Sequence, residues 1–149
     1  MSAAQILPLD WKLDEIDRGG DVLQMVERRF EPSIIDRLLQ LGFDKTELSA
    51  AVIPARTLQH RRSRKERLTV EESDKVIRVL RVLRLAEEVY ESREQALEWL
   101  REPNANLDPA LRNLLFTKGG RAPMTLLNTE TGARSVEQLL YQISEGVFI

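Results

Sequence analysis

Residues 56–67 hold six arginines and lysines together with the only histidine of the chain. Guanidinium and ammonium groups neutralise phosphates, and polar side chains such as Thr57, Gln59 and His60 can hydrogen-bond the edges of bases. These residue types together are the chemistry of nucleic-acid binding. The alternative interpretation is a solvated helix face whose charges are balanced by carboxylates elsewhere in the protein.

The distribution of charge along the chain bears on this choice. Residues 1–55 hold 6 basic and 10 acidic side chains, residues 56–84 hold 10 and 4, and residues 85–149 hold 6 and 10. The resulting balances of −4, +6 and −4 add up to the net charge of −2. A basic middle between two acidic ends favours a site for a polyanion over a generic surface.

Catalytic chemistry is poorly supported by the same sequence. The lack of cysteine excludes thiol nucleophiles, thiolate zinc sites and disulfides, and it fits a reducing cytoplasm. A single histidine excludes a His-based metal site, and no serine or aspartate stands at a spacing that indicates a catalytic partner for His60. The segment TKGGR at 117–121 lacks the full phosphate-loop pattern. We therefore expect no enzyme, no catalytic or metal-binding residues and no cofactor.

The sequence also lacks the features of a membrane or secreted protein. Its acidic N-terminal segment interrupts apolar residues with charges, unlike a signal peptide. A run of about 18 apolar residues, the length needed to span a bilayer, is absent. The sequence thus predicts a cytoplasmic protein with no membrane partner.

Nearly every apolar stretch has helical spacing, which predicts an all-α protein. Ser33, Asp44, Thr69, Ser92 and Thr129 are placed to cap helices. Helices are predicted at residues 21–30, 34–41, 45–52, 55–64, 70–91, 93–102, 109–115, 123–127 and 130–145. The helix at 70–91 has so broad an apolar face that it must be buried on most sides.

The short helices at 45–52 and 55–64, joined near Pro54, predict a helix-turn-helix. Lys75 and Arg78 are possible extensions of its basic surface, whereas Arg81 and Arg84 point elsewhere because each three-residue step slips around the helix by 60°. One small motif supplies few contacts, so we expect a homodimer on operator DNA. The predicted DNA-binding residues are Lys45, Arg56, Thr57, Gln59, His60, Arg61, Arg64 and Lys65.

Four segments of the chain occur in a recognisable order: IPARTL (53–58), LT-EESDKVIRV (68–79, with Val70 skipped), ALEWLREPNANL (96–107) and P-TLL-TETGA-SVEQLL-QISEG (123–146). They resemble the Xre/MbcA/ParS-type antitoxins. The resemblance covers residues 53–149, and residues 108–122 form an insertion relative to the family pattern. The ending EGVFI looks most like antitoxins paired with RES-domain toxins, which consume or use NAD.

This resemblance implies the antitoxin of a bacterial type II toxin–antitoxin pair. In such proteins an N-terminal helix-turn-helix region binds the operon's own promoter, and a C-terminal helical domain binds and inhibits the toxin. The resemblance places Arg56 and Thr57 in the DNA-reading element. Matches on the linking helix are Glu72, Ser73, Asp74 and Arg78, and matches in the C-terminal domain are Gly132, Val136, Leu139, Leu140, Ile143 and Gly146.

The toxin-binding residues expected from the resemblance lie near the end of the chain: Arg134, Tyr141, Glu145, Gly146, Val147, Phe148 and Ile149. We expect the last three to form a plug that obstructs the entrance to the toxin's active site. The alternative is that these three apolar residues fold back onto the protein's own core.

The expected architecture is an N-terminal helix-turn-helix-like region (1–68), a central linking helix (69–91) and a small helical toxin-binding domain (92–149). The expected function is neutralisation of a cognate RES-domain toxin and repression of the operon through its promoter. A second hypothesis is a free-standing dimeric transcriptional regulator whose C-terminal domain only dimerises. An adjacent RES-like toxin gene would favour the first.

Overall fold

A computed structural model of the chain describes residues 20–104 and 121–146. Every regular element in these ranges is helical, as predicted, and the extended pairing within them is limited to an isolated antiparallel bridge between Asn104 and Arg121. The elements are α1 (Gly20–Arg28), α2 (Ile34–Leu41), α3 (Lys45–Ala51), α4 (Ala55–Arg64), α5 (Val70–Tyr90), α6 (Arg93–Arg101), the 3₁₀ helix η1 (Pro123–Leu126) and α7 (Glu130–Ser144).

Four of these helices begin directly after a predicted capping residue, whose side chain accepts a hydrogen bond from a backbone N–H of the first turn. Asp44 accepts a hydrogen bond from the backbone N–H of Glu47 at 2.7 Å, and the Glu47 carboxylate accepts one from the N–H of Asp44 at 2.9 Å. The same reciprocal pair joins Thr69 and Glu72 at 3.0 and 2.8 Å, before α5. Such capping boxes satisfy amide donors that have no partner within the helix. The caps of α6 and α7 are Ser92 and Thr129.

Two details at helix starts differ from the prediction. Ser33 precedes α2, but its side chain makes no capping hydrogen bond, because its backbone is already helical and the first amides of α2 are bonded to carbonyls of a preceding turn. By contrast, Pro54 precedes α4, in agreement with the predicted start at residue 55, and its carbonyl accepts the first helical bond, from the N–H of Leu58 at 2.9 Å. The turn after Ala122 is a four-residue 3₁₀ helix, not an α-helix.

The long helix α5 is deeply buried on several sides, as its broad apolar face predicted. The chain divides into two compact units within this helix, between Arg81 and Val82. The first half of α5 therefore contributes to the core of the first unit, and the second half to that of the second. The buried side chains of α5 are Val76, Ile77, Val79 and Leu80 in the first half and Val82, Leu83, Leu85 and Ala86 in the second.

Arg78 is the one arginine of α5 whose predicted role is wrong. It is only 7% exposed and donates to the Asp74 carboxylate at 3.3 Å. It lies between Ile77 and Val79 in the buried stretch of the helix, so it cannot extend a basic surface. Arg84 pairs with Glu88 at 2.8 Å, in agreement with the expectation that it does not extend the basic surface.

The second unit packs η1 against both α6 and α7. Tyr90 and Trp99 contact each other with ring centroids 6.1 Å apart, and both are partly buried. Burial raises the pKa of the Tyr90 hydroxyl, and the nearby Glu102 carboxylate raises it further. These two aromatic rings therefore belong to the packing of this unit. Its buried side chains outside α5 are Ala96, Leu97, Leu100, Pro123, Met124, Leu127, Ala133, Val136, Leu139 and Leu140.

Three predicted features fall outside the described residues. They are the helix at 109–115, most of the insertion at 108–122, and the plug formed by Val147, Phe148 and Ile149. Within residues 20–104 and 121–146, none of the helices has the length and apolar character needed to cross a membrane.

Candidate functional site

The helices α3 and α4 form the predicted pair, joined by the turn Val52, Ile53 and Pro54. Val52 and Ile53 are each 2% exposed, so the turn is anchored in the core of the first unit. The backbone N–H of Ala55 donates to Ser49 Oγ at 3.3 Å, which ties the start of α4 back to α3. This arrangement fixes the N-terminal end of α4, the part that enters the major groove in helix-turn-helix proteins.

One face of α4 points away from the protein. Arg56, Gln59, His60 and Ser63 are all exposed, and their spacing of three, four and seven residues places them on the same side of the helix. None of the α4 side chains is fully buried, but Thr57 and Leu58 are half-buried on the opposite side. The outward face of α4, defined by these four exposed residues, thus carries a cation and several hydrogen-bonding groups.

Arg61 points inward instead, toward the first turn of α5. Its Nε and Nη2 donate to the two carboxylate oxygens of Glu72 at 3.2 and 3.1 Å. The two side chains are 23% and 13% exposed. Planar guanidinium and carboxylate groups in this two-bond geometry form one of the stronger polar contacts available to a protein.

Electrostatics of this pair are consistent with two charged partners. The hydrogen bond to Glu72 raises the pKa of Arg61 despite the opposing effect of burial. Burial alone would raise the pKa of Glu72, but the hydrogen bonds from Arg61 and Thr69 outweigh it, so the pKa of Glu72 is lowered. Both groups therefore stay ionised at neutral pH.

Arg62 forms a second ion pair, on the other flank of α4. Its Nη1 and Nη2 donate to the carboxylate of Asp36, on α2, at 3.3 and 3.2 Å. These side chains are more exposed, at 42% and 51%, so water screens the pair more strongly. Two arginines of the basic run are thus engaged by carboxylates of this protein.

Other predicted DNA-binding cations are exposed at the surface. Arg56 forms no ion pair within the part of the chain that the structure describes, and Lys45 is exposed at the start of α3. Arg64 is 69% exposed and 4.0 Å from Glu66. Lys65 follows α4 with a positive φ of 55°, and its side chain is exposed.

A network of backbone contacts holds the segment between α4 and α5 against the segment after α1. Leu68 is fully buried, and its N–H donates to the carbonyl of Phe30 at 2.9 Å. The N–H of Phe30 donates to the buried Ser73 hydroxyl at 3.0 Å. Arg29 Nε donates to the carbonyl of Leu68 at 2.8 Å, and Arg67 pairs with Glu31 at 3.0 Å. The ends of α4 and α5 are thereby fixed within the first unit.

In the second unit, the predicted toxin-binding residues in α7 and directly after it share one exposed face. Arg134, Tyr141 and Glu145 are spaced by seven and four residues and are all exposed. Together with Glu137, Gln138 and Gln142 they line a shallow depression along the helix. Tyr141 is 56% exposed, among the largest apolar surfaces left uncovered in the described residues. Gly146 follows Glu145, the C-cap residue of α7, with a φ of 77°.

Gly132 lies at a point where α7 closely approaches the turn before it. A Cβ atom there would overlap the backbone carbonyl oxygen of Leu126 and would lie 2.9 Å from Thr129 Oγ1. Its N–H donates to that same hydroxyl at 3.0 Å. The glycine therefore has a packing function in the second unit.

Sequence reasoning missed two features of the α4 surface. Ser63 shares the outward face, as its seven-residue spacing from Arg56 could have indicated. The ion pair between Glu72 and Arg61 could not be predicted, because the sequence does not specify the path of the turn that separates them. In the described ranges, no three histidine or acidic side chains are grouped so that they could hold a metal ion.

Comparison with known proteins yields one family. Residues 21–81 match the antitoxin Xre-like helix-turn-helix domain, a range that ends where the first compact unit ends. An antitoxin Xre of Yersinia enterocolitica (serotype O:8 / biotype 1B) is 33% identical over 134 residues, which is 88% of this chain and 83% of that protein. An antitoxin Xre of Pseudomonas putida is 36% identical over 95 residues, which is 64% of this chain and 53% of that protein.

Proposed function

Because this chain belongs to the Xre family of antitoxins, we propose that it neutralises a partner toxin through its second unit and represses its own operon through its first. The DNA-binding role is supported by one observation: α4 presents Arg56, Gln59, His60 and Ser63 on a single outward face, while Arg61 and Arg62 pair with carboxylates of this protein. In a recognition helix, some side chains contact the DNA and others hold the helix against the rest of the protein.

The roles we assign follow from the chemistry of each side chain. Gln59 can pair with adenine in a two-bond geometry, and Arg56 can do so with guanine or contact a phosphate. His60 and Ser63 can bond base edges or phosphate oxygens as single donors or acceptors. Lys45, Arg64 and Lys65 flank this face and would neutralise phosphates, each adding about −0.9 to the slope of log affinity against log salt.

The protein would act on DNA as a homodimer. One α4 provides only a few contacts, and two copies related by a two-fold axis would read an inverted repeat in successive turns of the major groove. The proposed setting for this activity is the cytoplasm, where promoter and toxin are both accessible.

For the partner toxin, we propose a RES-domain protein that consumes or uses NAD, on the strength of the resemblance of the C-terminal segments. The exposed face of α7 with Arg134, Tyr141 and Glu145 would provide part of the contact. Tyrosine and arginine are enriched among residues that dominate binding energy at protein interfaces. Gly146 would let the chain turn after α7, and Val147, Phe148 and Ile149 would obstruct the entrance to the toxin's active site.

Co-expression of the chain with the protein encoded beside it, followed by pull-down and a growth assay, tests this proposal. We expect a stable complex and rescue of growth. A complex that forms but does not protect the cell would contradict neutralisation. Specific promoter binding without any toxin partner would instead support the free-standing regulator, which the helix-turn-helix match alone would equally allow.

Removal of residues 147–149 tests the plug separately. If these residues obstruct the active site, the truncated protein should still bind the toxin through α7 but should fail to suppress its activity. Full neutralisation by the truncated protein would contradict the plug while leaving the antitoxin role intact.

A further inference from the structure

We infer that Arg61 and Glu72 form a positioning pair that sets the orientation of α4 for DNA binding, and that Arg61 is not itself a phosphate contact. This inference rests on the proposed DNA-binding function. It reverses the role that residue type alone suggests, since Arg61 lies in the centre of the basic run.

The geometry of the Glu72 carboxylate supports this role. Its Oε1 accepts from the Thr69 N–H at 2.8 Å and from Arg61 Nε at 3.2 Å, while its Oε2 accepts from Arg61 Nη2 at 3.1 Å. One side chain thus fastens the N-terminus of α5 to the inner side of α4. Groups that must be held to within a fraction of an ångström are commonly fixed by such supporting contacts.

The surroundings of the pair leave Arg61 little freedom to reach a ligand. Its side chain is only 23% exposed, against 69% for Arg64 three residues later. Glu66 lies 4.0 Å from Arg61, so a second carboxylate stands near this guanidinium. A phosphate would have to displace both, whereas Arg56 on the outward face meets no such competition in the described residues.

The substitution Glu72→Gln distinguishes between two possible roles of Arg61, a phosphate contact and a positioning contact for α4. Glutamine keeps the reciprocal cap with Thr69, because capping boxes accept glutamate or glutamine at this position, but it removes the charge that holds Arg61. If Arg61 contacts phosphate, Glu72→Gln releases it and removes a repulsive charge, so affinity for DNA should stay equal or rise. If the pair positions α4, affinity should fall.

The experiment measures binding of the full-length protein to a DNA fragment carrying the promoter of its own gene, over a range of salt. We expect Arg61→Gln and Glu72→Gln each to weaken binding about tenfold, the effect of losing a charged hydrogen-bonded pair, and the double variant to be no weaker than either single one. Arg61→Lys should not restore binding, since an ammonium cannot form the two parallel bonds.

A different result would overturn the inference. If Arg61 contacts phosphate instead, Glu72→Gln should bind DNA as well as the wild type or better. Arg61→Gln should then lose affinity and about 0.9 of the salt slope per subunit, and Arg61→Lys should keep both the affinity and the slope. The matched control is Asp36→Asn, which releases Arg62 from the more exposed pair and should change binding less than Glu72→Gln does.

A measurement without DNA separates this inference from the proposed function. In the free full-length protein, Glu72→Gln and Arg61→Gln should accelerate amide hydrogen exchange in the C-terminal part of α4 to the same extent and leave α2 unchanged. Unchanged exchange in α4 would overturn the positioning pair. Failure of the wild-type protein to bind its promoter, with the exchange result as expected, would contradict the DNA-binding function alone.

Discussion

Gly132 in α7 lies directly against the backbone carbonyl of Leu126, so closely that a methyl group at this position would overlap the oxygen. Because the obstacle is backbone rather than a flexible side chain, α7 would have to move away from η1. We predict that Gly132→Ala destabilises the protein by about 2 kcal/mol or more, within the range for overpacked sites. Urea unfolding of the second unit measures this.

Gly146→Ala is a matched control for this substitution. Among the described residues, no heavy atom other than those of its chain neighbours would lie within 4 Å of its Cβ, although the positive φ of 77° disfavours alanine. The expected cost is about 1 kcal/mol from backbone strain. Equal or greater destabilisation by Gly146→Ala than by Gly132→Ala would contradict the close-packing explanation.

On the DNA-binding surface, Arg56→Gln should weaken promoter binding and reduce the salt slope. The reason is that Arg56 is exposed on the outward face of α4 and forms no ion pair in the described ranges. If Arg56 neutralises one phosphate, its removal should lower the slope by about 0.9 per subunit. Arg134→Gln removes the same charge from α7, in the other unit, and should leave both quantities unchanged.

Gln59→Ala should act differently, because Gln59 is uncharged. We expect discrimination between the cognate promoter and a variant with one altered base pair to fall by about 1–3 kcal/mol, with an unchanged salt slope. Competition binding against a panel of single base-pair changes measures this. Uniform weakening across the panel would show that Gln59 does not read a base.

The stability of the first unit should depend on pH through Glu72. Its pKa is lowered in the folded protein from the ordinary value of 4.5, so the folded state holds a proton there less readily than the unfolded chain. The ionised carboxylate therefore contributes stability above pH 4.5, and that contribution is lost as the pH falls through the lowered pKa. The first unit should therefore be less stable in acid than at neutral pH.

Chemical denaturation of the wild type and Glu72→Gln between pH 7 and pH 3 tests this prediction. The difference in unfolding free energy should be constant near neutrality and should shrink in acid. A difference that persists at the lowest pH would mean that the glutamine affects packing rather than charge.

In the second unit, Tyr141→Ala should weaken toxin binding without weakening the fold. The ring is 56% exposed, so it contributes little to the core, and exposed tyrosines at interfaces often contribute about 2 kcal/mol or more when buried by a partner. Leu23→Ala removes another exposed apolar side chain, 61% exposed on α1, and should have no effect on toxin binding.

Much of the fold followed from local signals in the sequence. The bounds of α4 were predicted correctly at residues 55–64, because a proline precedes it and α3 is separately capped by Asp44. The prediction that the chain is no enzyme is confirmed by its family, whose members are antitoxins. The family resemblance itself was visible from short segments in the right order.

The orientation of individual arginines could not be predicted in the same way. Arg56 and Arg61 are alike in type and both lie in one basic run, yet one faces outward and the other binds Glu72. The two arginines lie five residues apart on α4 and therefore point in different directions. Only Arg61 lies near the carboxylate of Glu72, on α5. Arg78 illustrates the same limit, since its charge suggested a surface position but its neighbours in α5 are buried.

We propose that the exposed face of α7 binds the toxin and that the outward face of α4 is not needed for this contact. Calorimetric titration of the full-length protein into a RES-domain toxin partner, with wild type, Arg56→Gln and Tyr141→Ala in parallel, tests it most directly. We predict equal affinity for wild type and Arg56→Gln, and at least about 30-fold weaker binding for Tyr141→Ala. Absence of binding by the wild type, or equal weakening in both variants, would contradict the claim.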